Sequence, residues 1–260
     1  MKALHIAATG MKAQELNVEV ISNNVANMRT TGFKKQRADF QDLLYQNLRR
    51  TGSQSSSTGT IVPTGVQVGS GVKTSATARI MSQGSLEQTN KDLDIAIRGE
   101  GFFQIDLPDG TTGYSRDGSF ERDATGTMVT VDGYAITPAI VIPENYRDIS
   151  ISADGTVEIT NEDSEQVNLG QIQLARFVNK SGLVAIGDNT YLETDASGAP
   201  QIDLPGSNGF GSLQQNYLEM ANVDAVTEIA DLISAQRAYE MNSRVIQAAD
   251  EMYSTTTNIR

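Results

Sequence analysis

The sequence predicts an α+β protein: a discontinuous, coiled-coil-like helical domain formed by pairing the N- and C-terminal helices, and an all-β middle domain. Three patterns predict it. From Leu4 to Met28 apolar residues recur at alternating steps of three and four, through Leu4, Ala7, Met11, polar Gln14, Val18, Ile21, Val25 and Met28. That stripe is the seam of a helix that packs along another helix. At the far end Leu232, Tyr239, Ile246 and Tyr253 repeat every seven residues, widened by Ile229, Ile233, Val245, Ala249 and Met252. Between them the chain changes to short apolar or alternating runs punctuated by Asp-Gly pairs, the signature of hairpins. Neither terminal helix has the length to be firmly stable alone in water, so each needs the other end or copies of itself.

Taken in order, the first helix is expected to stop near Thr30-Thr31-Gly32, where glycine supplies a left-handed cap. A short amphipathic piece follows from Phe40 to Leu48. Residues 51–59 are small and polar and read as a linker or an adaptable contact loop. From Ile61 to about Gly211 strands are expected at Val66–Val72, Leu93–Ile97, Phe102–Leu107, Met128–Val131, Ile149–Ile151, Val157–Ile159, Ile172–Phe177 and Tyr191-Leu192. Turns are expected at Asp109-Gly110, Asp117-Gly118, Asp132-Gly133, Asp154-Gly155 and Ser181-Gly182. Roughly eight to twelve strands at this spacing make an all-β domain. Asn222 or Asp224 caps the last helix. The division that follows is 1–31 with 212–260 as the terminal-helix domain, 32–73 as a connecting segment with an extended loop, and 74–211 as the β domain.

Composition excludes several classes. The 260 residues include no Cys, which removes disulfides, thiol nucleophiles and thiolate metal sites. No run of eighteen apolar residues offers a membrane span, so no membrane insertion is expected. Lys2 is not followed by an uninterrupted apolar segment or a small-residue cleavage site, so no cleaved signal peptide is expected. If exported, the protein leaves by a route that keeps its first helix. Residues 1–50 carry 8 basic and 4 acidic side chains, whereas residues 51–220 carry 9 basic and 22 acidic ones. An acidic middle argues against a nucleic-acid surface. The one basic cluster, Lys34, Lys35 and Arg37 with Arg49 and Arg50, reads as a solvated or subunit-contacting face.

Chemistry has little to hold on to. The single histidine, His5, lies in the first turns of the N-terminal helix, without the partners of a triad or a zinc site, and reads as structural. Gly65–Thr74 fails as a phosphate loop because Val72 separates Gly71 from Lys73 and the flanks alternate like a strand. Gly99-Glu100-Gly101 reads as the bend before a strand. Carboxylates of the middle frequently stand beside glycine, which favours turn duty. A glycosidase-like acid pair is the alternative. Neither Asp154-Gly-Thr nor Asn161-Glu-Asp has the ligand ladder of a calcium loop. No cofactor and no metal are expected.

Ser22-Asn-Asn-Val-Ala-Asn27 sets three asparagines, Asn23, Asn24 and Asn27, near a helix end although each costs roughly half a kcal/mol against alanine there. They fall off the apolar seam and are expected to contact neighbouring chains or a wet channel. At these residues the sequence resembles the axial proteins of the bacterial flagellum, its rod and hook. The matching stretches are Ala8-Thr-Gly-Met-Lys-Ala-Gln14, Ile21-Ser-Asn-Asn-Val-Ala-Asn27 with Thr31-Gly-Phe-Lys34, Tyr217-Leu-Glu-Met-Ala-Asn-Val-Asp224 and Gln236-Arg-Ala-Tyr-Glu-Met-Asn242. Within the family the resemblance is strongest to subunits of the distal rod. It rests there on overall length, Phe40-Gln-Asp-Leu-Leu-Tyr45, the Gln54–Lys73 stretch, Ser82-Gln-Gly-Ser-Leu-Glu-Gln-Thr-Asn90, and Gly99-Glu-Gly-Phe-Phe103 with Tyr114-Ser-Arg-Asp-Gly-Ser-Phe120. It covers nearly the whole chain, most loosely between Asn145 and Gly206, and departs at Met220-Ala221, where the family often has Ser before the Asn-Val pair.

The resemblance implies a structural subunit, not an enzyme, that polymerises helically into a rigid, periplasm-spanning drive shaft of the basal body. It implies export through the flagellum's own type III apparatus, and terminal helices paired as an inner domain around a central channel with the β domain outside. Partners would be copies of itself, the proximal rod and hook-side axial proteins, the surrounding ring proteins and the export apparatus. Gln236, Arg237 and Asn242 join the three amide residues as expected inter-subunit polar contacts. The stretch Gln54–Val72 is expected to make the rod straight and stiff. Alternatives are a proximal-rod or hook-type subunit, a peptidoglycan-acting enzyme, and, disfavoured by the absence of Trp, a carbohydrate-binding module.

Overall fold

In chain order the elements of the computed structural model, which describes residues 2–49, 51, 64–162 and 165–258, are α1 (Lys2–Ala26), β1 (Gln36–Asp42), β2 (Tyr45–Arg49), β3 (Val66–Gly69), β4 (Val72–Arg79), β5 (Leu86–Gln88), β6 (Ile95–Arg98), β7 (Phe102–Asp106), β8 (Thr112–Ser115), β9 (Phe120–Arg122), β10 (Met128–Thr130), β11 (Asp148–Ile151), β12 (Thr156–Thr160), β13 (Gln166–Gln171), β14 (Leu174–Arg176), β15 (Val184–Gly187), β16 (Thr190–Leu192), β17 (Gln201–Asp203), β18 (Ser212–Gln215), β19 (Tyr217–Glu219) and α2 (Ala225–Asn258). Two helices and many strands make the chain α+β. They gather into two compact units: Met1–Val25, Gln36–Ala78 and Ala225–Arg260 in one, Ala26–Lys35 and Arg79–Asp224 in the other. Residues 26–31 and 212–224, read from sequence with the helices, thus cluster with the β unit, and most of the connecting segment clusters with the helices. Most of the polar stretch 51–59, residues 54–63 of the Gln54–Val72 stretch, and Arg50 and Asp163 lie outside the described residues.

In the helical unit α1 ends at Ala26, a turn earlier than the sequence suggested, and Met28 therefore falls beyond the helix. The segment Phe40–Leu48 contributes to β1 and β2, not to an amphipathic piece of its own. β1 pairs with β4 and β2 with β3, in the register Tyr45↔Gly69, Gln46↔Val68 and Asn47↔Gln67, and the Leu43 N–H donates to the Gly71 carbonyl at 2.8 Å between the two pairs. The result is a two-stranded ribbon that runs back along α1. Three ties hold it there: Asn24 at Gln36, Thr9 at Val72, and Lys2 at Gln46. The lengths agree. From Gln36 to Gln46 an extended strand covers about 33 Å, and from Asn24 back to Lys2 a helix covers about 33 Å. At the Thr9 tie Gly71 takes φ +118°, and a Cβ there would lie 2.3 Å from Thr9 Oγ1, so only glycine fits.

α2 lies antiparallel to α1 in the same unit. Gly10 faces Asn242, close enough that a Cβ on Gly10 would meet the Asn242 amide at 3.0 Å, and Asn24 Nδ2 donates to Glu228 Oε2 at 3.1 Å. Fourteen residues separate the two contacts on each helix, four turns in register. Ala7, Ala13, Val20, Ile21 and Asn24 are the buried residues of α1, and Glu228, Ala235 and Ala249 those of α2.

The β unit is built on a six-stranded antiparallel sheet in the order β15-β16-β8-β7-β14-β17, with the three-stranded β11-β12-β13 and the pairs β9/β10, β6/β18 and β5/β19 around it. Neighbouring residues of β7 point to opposite faces, as the pleat requires. Phe103 enters a large cluster with Phe120, Ile97 and Ile172, while Phe102 enters a smaller one with Tyr114, Phe177 and Tyr191. The rings meet edge to face, Phe103 with Phe120 at 5.1 Å and Tyr114 with Phe177 at 4.7 Å. Asp109-Gly110 turns β7 into β8 and Asp154-Gly155 turns β11 into β12, each with its glycine at positive φ. Asp117-Gly118 is not a hairpin. There the Asp117 carboxylate accepts hydrogen bonds from Thr31 Oγ1 (2.8 Å) and Ser119 Oγ (2.7 Å), and a Cβ on Gly118 would collide with the Ile95 carbonyl.

The β unit also holds a buried ionic cluster. Glu219 accepts from Lys34 Nζ at 2.5 Å and from Arg116 Nη1 at 3.0 Å, and also receives the Gly84 N–H at 2.8 Å. Lys34 donates further to the Ser82 carbonyl at 2.8 Å, and Arg116 to the carbonyls of Gly99 (2.5 Å) and Ile97 (3.3 Å). Lys34 is 1% exposed, so it is not part of a solvated basic face as its sequence neighbours suggested. Burial drives the pKa values of both cations down from their ordinary ranges, and the Glu219 carboxylate pulls them back up. Asn222 joins the same region: its Oδ1 accepts from the Lys35 N–H (2.8 Å) and its Nδ2 donates to the Ile80 carbonyl (2.8 Å). Its side chain is thus engaged with the β unit, and Asp224 is the residue that immediately precedes α2.

Replacing Glu219 by Gln leaves two buried cations without their counter-charge. We expect a loss of about 3–5 kcal/mol of unfolding free energy, measured by urea denaturation of the full chain. A loss below about 1 kcal/mol would mean that the cluster is open to water.

Candidate assembly surface

The terminal helices carry the residues singled out in the sequence, and the structure divides them into three groups. Ala7 and Ile21 are buried in the unit. Leu4, Met11, Val18, Val25, Leu232 and Ile246 are half-buried. Met28, Ile229, Tyr239 and Tyr253 are exposed. One reason is size. Ala235 is 2% exposed and Ala13 4%, so the helices approach through alanines that carry a weak hydrophobic signal and that the heptad reading of Leu232, Tyr239, Ile246 and Tyr253 passes over. Ala249, read as a flank of that stripe, is buried. Glu228 was invisible for a second reason, because a carboxylate in a first helical turn reads as solvated.

The amides also divide. Asn24 is buried and directed inward, not toward a neighbouring chain. Its Oδ1 accepts the Gln36 N–H at 2.9 Å and its Nδ2 donates to the Gln36 carbonyl at 2.8 Å, as a strand neighbour would, while the same Nδ2 reaches Glu228. One side chain thus joins α1, α2 and β1. Asn242 is half-buried against Gly10. Asn27 accepts from Thr30 Oγ1 at 3.2 Å in the turn after α1. Asn23, Gln236 and Arg237 are exposed.

Two hollows open on the helical unit. One, of about 250 Å³, is lined by Lys2, His5, Ile6, Gln46, Val68, Gly69 and Ser70, so the exposed His5 faces the ribbon. The other, of about 390 Å³, is a groove between the helices lined by Glu15, Val18 and Glu19 from α1 and Gln236, Tyr239 and Glu240 from α2. Beyond these, α2 exposes Val226 (78%), Met241 (61%) and Met252 (62%) together with Ile233 and Val245, a surface of large apolar side chains along a helix of 34 residues.

The acidic side chains of the β unit behave as turn residues. Asp109 accepts from the N–H and Oγ1 of Thr111, Asp123 from those of Thr125, and Asp203 from Asn208 Nδ2. These bonds hold all three carboxyls below their ordinary range, the opposite of what a general acid requires. Among the described residues no group of three or more His, Cys, Asp or Glu is placed to hold a metal ion, and no helix is long and apolar enough to cross a membrane.

Comparison with known proteins begins with three families. Residues 4–34 match the flagella basal body rod protein family, residues 96–159 the flagellar hook protein FlgE/F/G D1 domain, and residues 214–259 the flagellar basal body rod FlgEFG protein C-terminal family. Both ends and the β unit thus share the class of flagellar rod and hook proteins. The chain is 57% identical to the flagellar basal-body rod protein FlgG of Caulobacter vibrioides over 100% of both chains, and 52% identical to that of Agrobacterium fabrum over 98% of this chain and 97% of the relative. With FlgG of Bacillus subtilis it shares 37% identity over 100% of this chain and 99% of the relative. The chain belongs to the FlgG family of flagellar basal-body rod proteins. Its role is that of a structural rod subunit, not an enzyme.

Asn24→Ala removes the clamp on Gln36 and leaves the Gln36 amide groups and Glu228 without it. We expect a loss of about 1–3 kcal/mol in the thermal or urea unfolding of the full chain. Asn23→Ala, at an exposed position, should change stability by less than about 0.5 kcal/mol.

Proposed function

We propose that the chain polymerises helically into the distal rod, a rigid shaft with a central export channel, and that its terminal helices drive the self-association. The observation that carries this is the exposure of α2, which among the described residues fully buries only Glu228, Ala235 and Ala249 and exposes eight large apolar side chains. Each such side chain contributes about 1.5–3 kcal/mol when covered, and a repeating polymer covers it in every subunit. Leu4, Met11, Val18 and Val25 of α1 and Ile229, Leu232, Tyr239, Ile246 and Tyr253 of α2 are the apolar contacts in this reading. Asn23, Gln236 and Arg237 are the polar ones. A head-to-tail contact that does not close on itself gives an open filament, with the helices coiled-coil-like around the channel.

The remaining partners in this reading are proximal-rod and hook-side axial proteins at the two ends, ring proteins around the shaft, and the flagellar export apparatus that delivers the chain across the inner membrane. The shaft spans the periplasm. A proximal-rod or hook-type subunit is the second reading. The ribbon supports the distal one, because β2 is exposed throughout and presents Leu44, Tyr45 and Leu48, with Val66 of β3, as a contact arm.

Ile229→Ala combined with Val245→Ala truncates two exposed side chains and should leave the monomer's unfolding curve unchanged. Electron micrographs of basal bodies from cells carrying the pair should show short or missing rods, with swimming lost. Full-length rods and normal swimming would refute helix-driven assembly. Deleting residues 54–72 should leave the β unit folded and make the rod bend. A rod of unchanged curvature would remove the distinction from a hook-type subunit.

A further inference from the structure

We propose that the groove between α1 and α2 receives a basic–apolar stripe on α2 of the next copy, so that consecutive subunits are joined by one directional, charge-matched contact. This rests on the helix-driven assembly proposed above and specifies which two surfaces meet. The groove is lined by apolar Val18 and Tyr239 and by acidic Glu15, Glu19 and Glu240, with no basic residue lining it. Its two walls mirror each other: Glu15, Val18 and Glu19 on α1, and Gln236, Tyr239 and Glu240 on α2, each set at positions i, i+3 and i+4. Elsewhere on α2, Ile233, Arg237, Met241 and Arg244 fall in one line at steps of four, four and three, all exposed. At 3.6 residues per turn this line lies roughly 110° around the helix from the groove wall. Groove and stripe therefore share no residue, although their facing edges, Glu240 and Ile233, lie only roughly 20° apart around the helix.

The two surfaces complement each other in sign and in shape. Arg237 and Arg244 stand seven residues apart, about 10 Å along the axis, with Met241 between them. Laid into the groove, Met241 rests on Val18 and the Tyr239 ring, a sulfur–aromatic contact, while the guanidinium groups reach the carboxylates on either wall. Both sets of charges are available. Glu240 and Arg244 are spaced i, i+4, yet neither they nor Glu15, Glu19 and Arg237 form an ion pair among the described residues. The contact is heterologous. When one copy's stripe fills another's groove, the first copy's groove and the second copy's stripe stay open, and addition continues without closure. Complementary charge also rejects the wrong match, since groove against groove sets six carboxylates face to face.

The chain has no Cys, so single cysteines report cleanly. Glu19→Cys and Met241→Cys chains are co-expressed as the rod protein, and isolated basal bodies are treated with a short bis-maleimide. A cross-linked dimer is expected only when both variants are present. A second experiment swaps charge on the exposed side chains. Glu15→Lys with Glu19→Lys, and separately Arg237→Glu with Arg244→Glu, should each reduce assembled rods about tenfold, while the monomers unfold as before. The chain carrying all four changes should recover most of its rods.

Three results would overturn the pairing: cross-linking in Glu19→Cys chains alone, rods unaffected by either charge change, or no recovery with the four combined. Each of them leaves helix-driven assembly standing if the Ile229→Ala/Val245→Ala rods are defective. Normal rods in that variant would overturn the assembly reading itself.

Discussion

A helix of 34 residues that, among the described residues, fully buries only Glu228, Ala235 and Ala249 in its own unit, with Asn242 against Gly10 and Leu232 and Ile246 half-buried, is the constraint on which the rest of this protein turns. Small residues let α1 and α2 approach closely but exclude little water, since an alanine buries far less apolar area than a leucine. The large side chains that could stabilise the pair point elsewhere. A single subunit is therefore made of a β unit with a full core and a helical unit with a slim one, and the proposed polymer would supply the second with its remaining stability. Solubility before assembly and adhesion after it come from the same surface, with charged residues interspersed along an apolar helix.

Polar side chains do the positioning that a thin apolar contact cannot. An apolar seam at four-turn spacing tolerates sliding, and Asn24 does not, because its amide bonds both backbone groups of Gln36 and the Glu228 carboxylate at once. Moving α2 by one turn would break the Asn24–Glu228 bond inside a buried contact, a cost that apolar sliding does not carry. The Glu219 cluster has the same logic in the β unit. It joins Lys34, eight residues after α1, to the strand that ends six residues before α2, through Arg116 of the central sheet region. Such a cluster adds little net stability over a well-packed apolar substitute, and its use here is to define one arrangement of segments that lie far apart in sequence.

Much of this was legible in the chain. The seams at Leu4–Met28 and Leu232–Tyr253 located both helices, and Asp109-Gly110 and Asp154-Gly155 located two hairpins, because helix period and turn chemistry are local properties that need no partner. Strands such as β13, β15 and β19 were missed. They are three to six residues long: β15 is exposed throughout, β19 has only three residues, and the alternation of β13 runs for only four residues, Gln-Val-Asn-Leu. The site was legible in outline only. Val18, Tyr239, Gln236 and Arg237 were identified as contact residues, but not that the first three line a groove with Glu15, Glu19 and Glu240.

Sequence alone determined that helices stand at both ends of a β-rich chain, and its resemblance to flagellar axial proteins supplied the structural role. Tertiary structure decided the directions. It turned Asn24 inward to Gln36, buried Lys34 against Glu219, and left Tyr239 lining a groove. The physical reason is that periodicity defines which residues share a face, whereas burial depends on what that face meets. Alanine spacing, the Gly10–Asn242 contact and the Asn24 node with Gln36 and Glu228 set the meeting of α1, α2 and the ribbon, and those contacts join residues up to 232 positions apart (242 − 10).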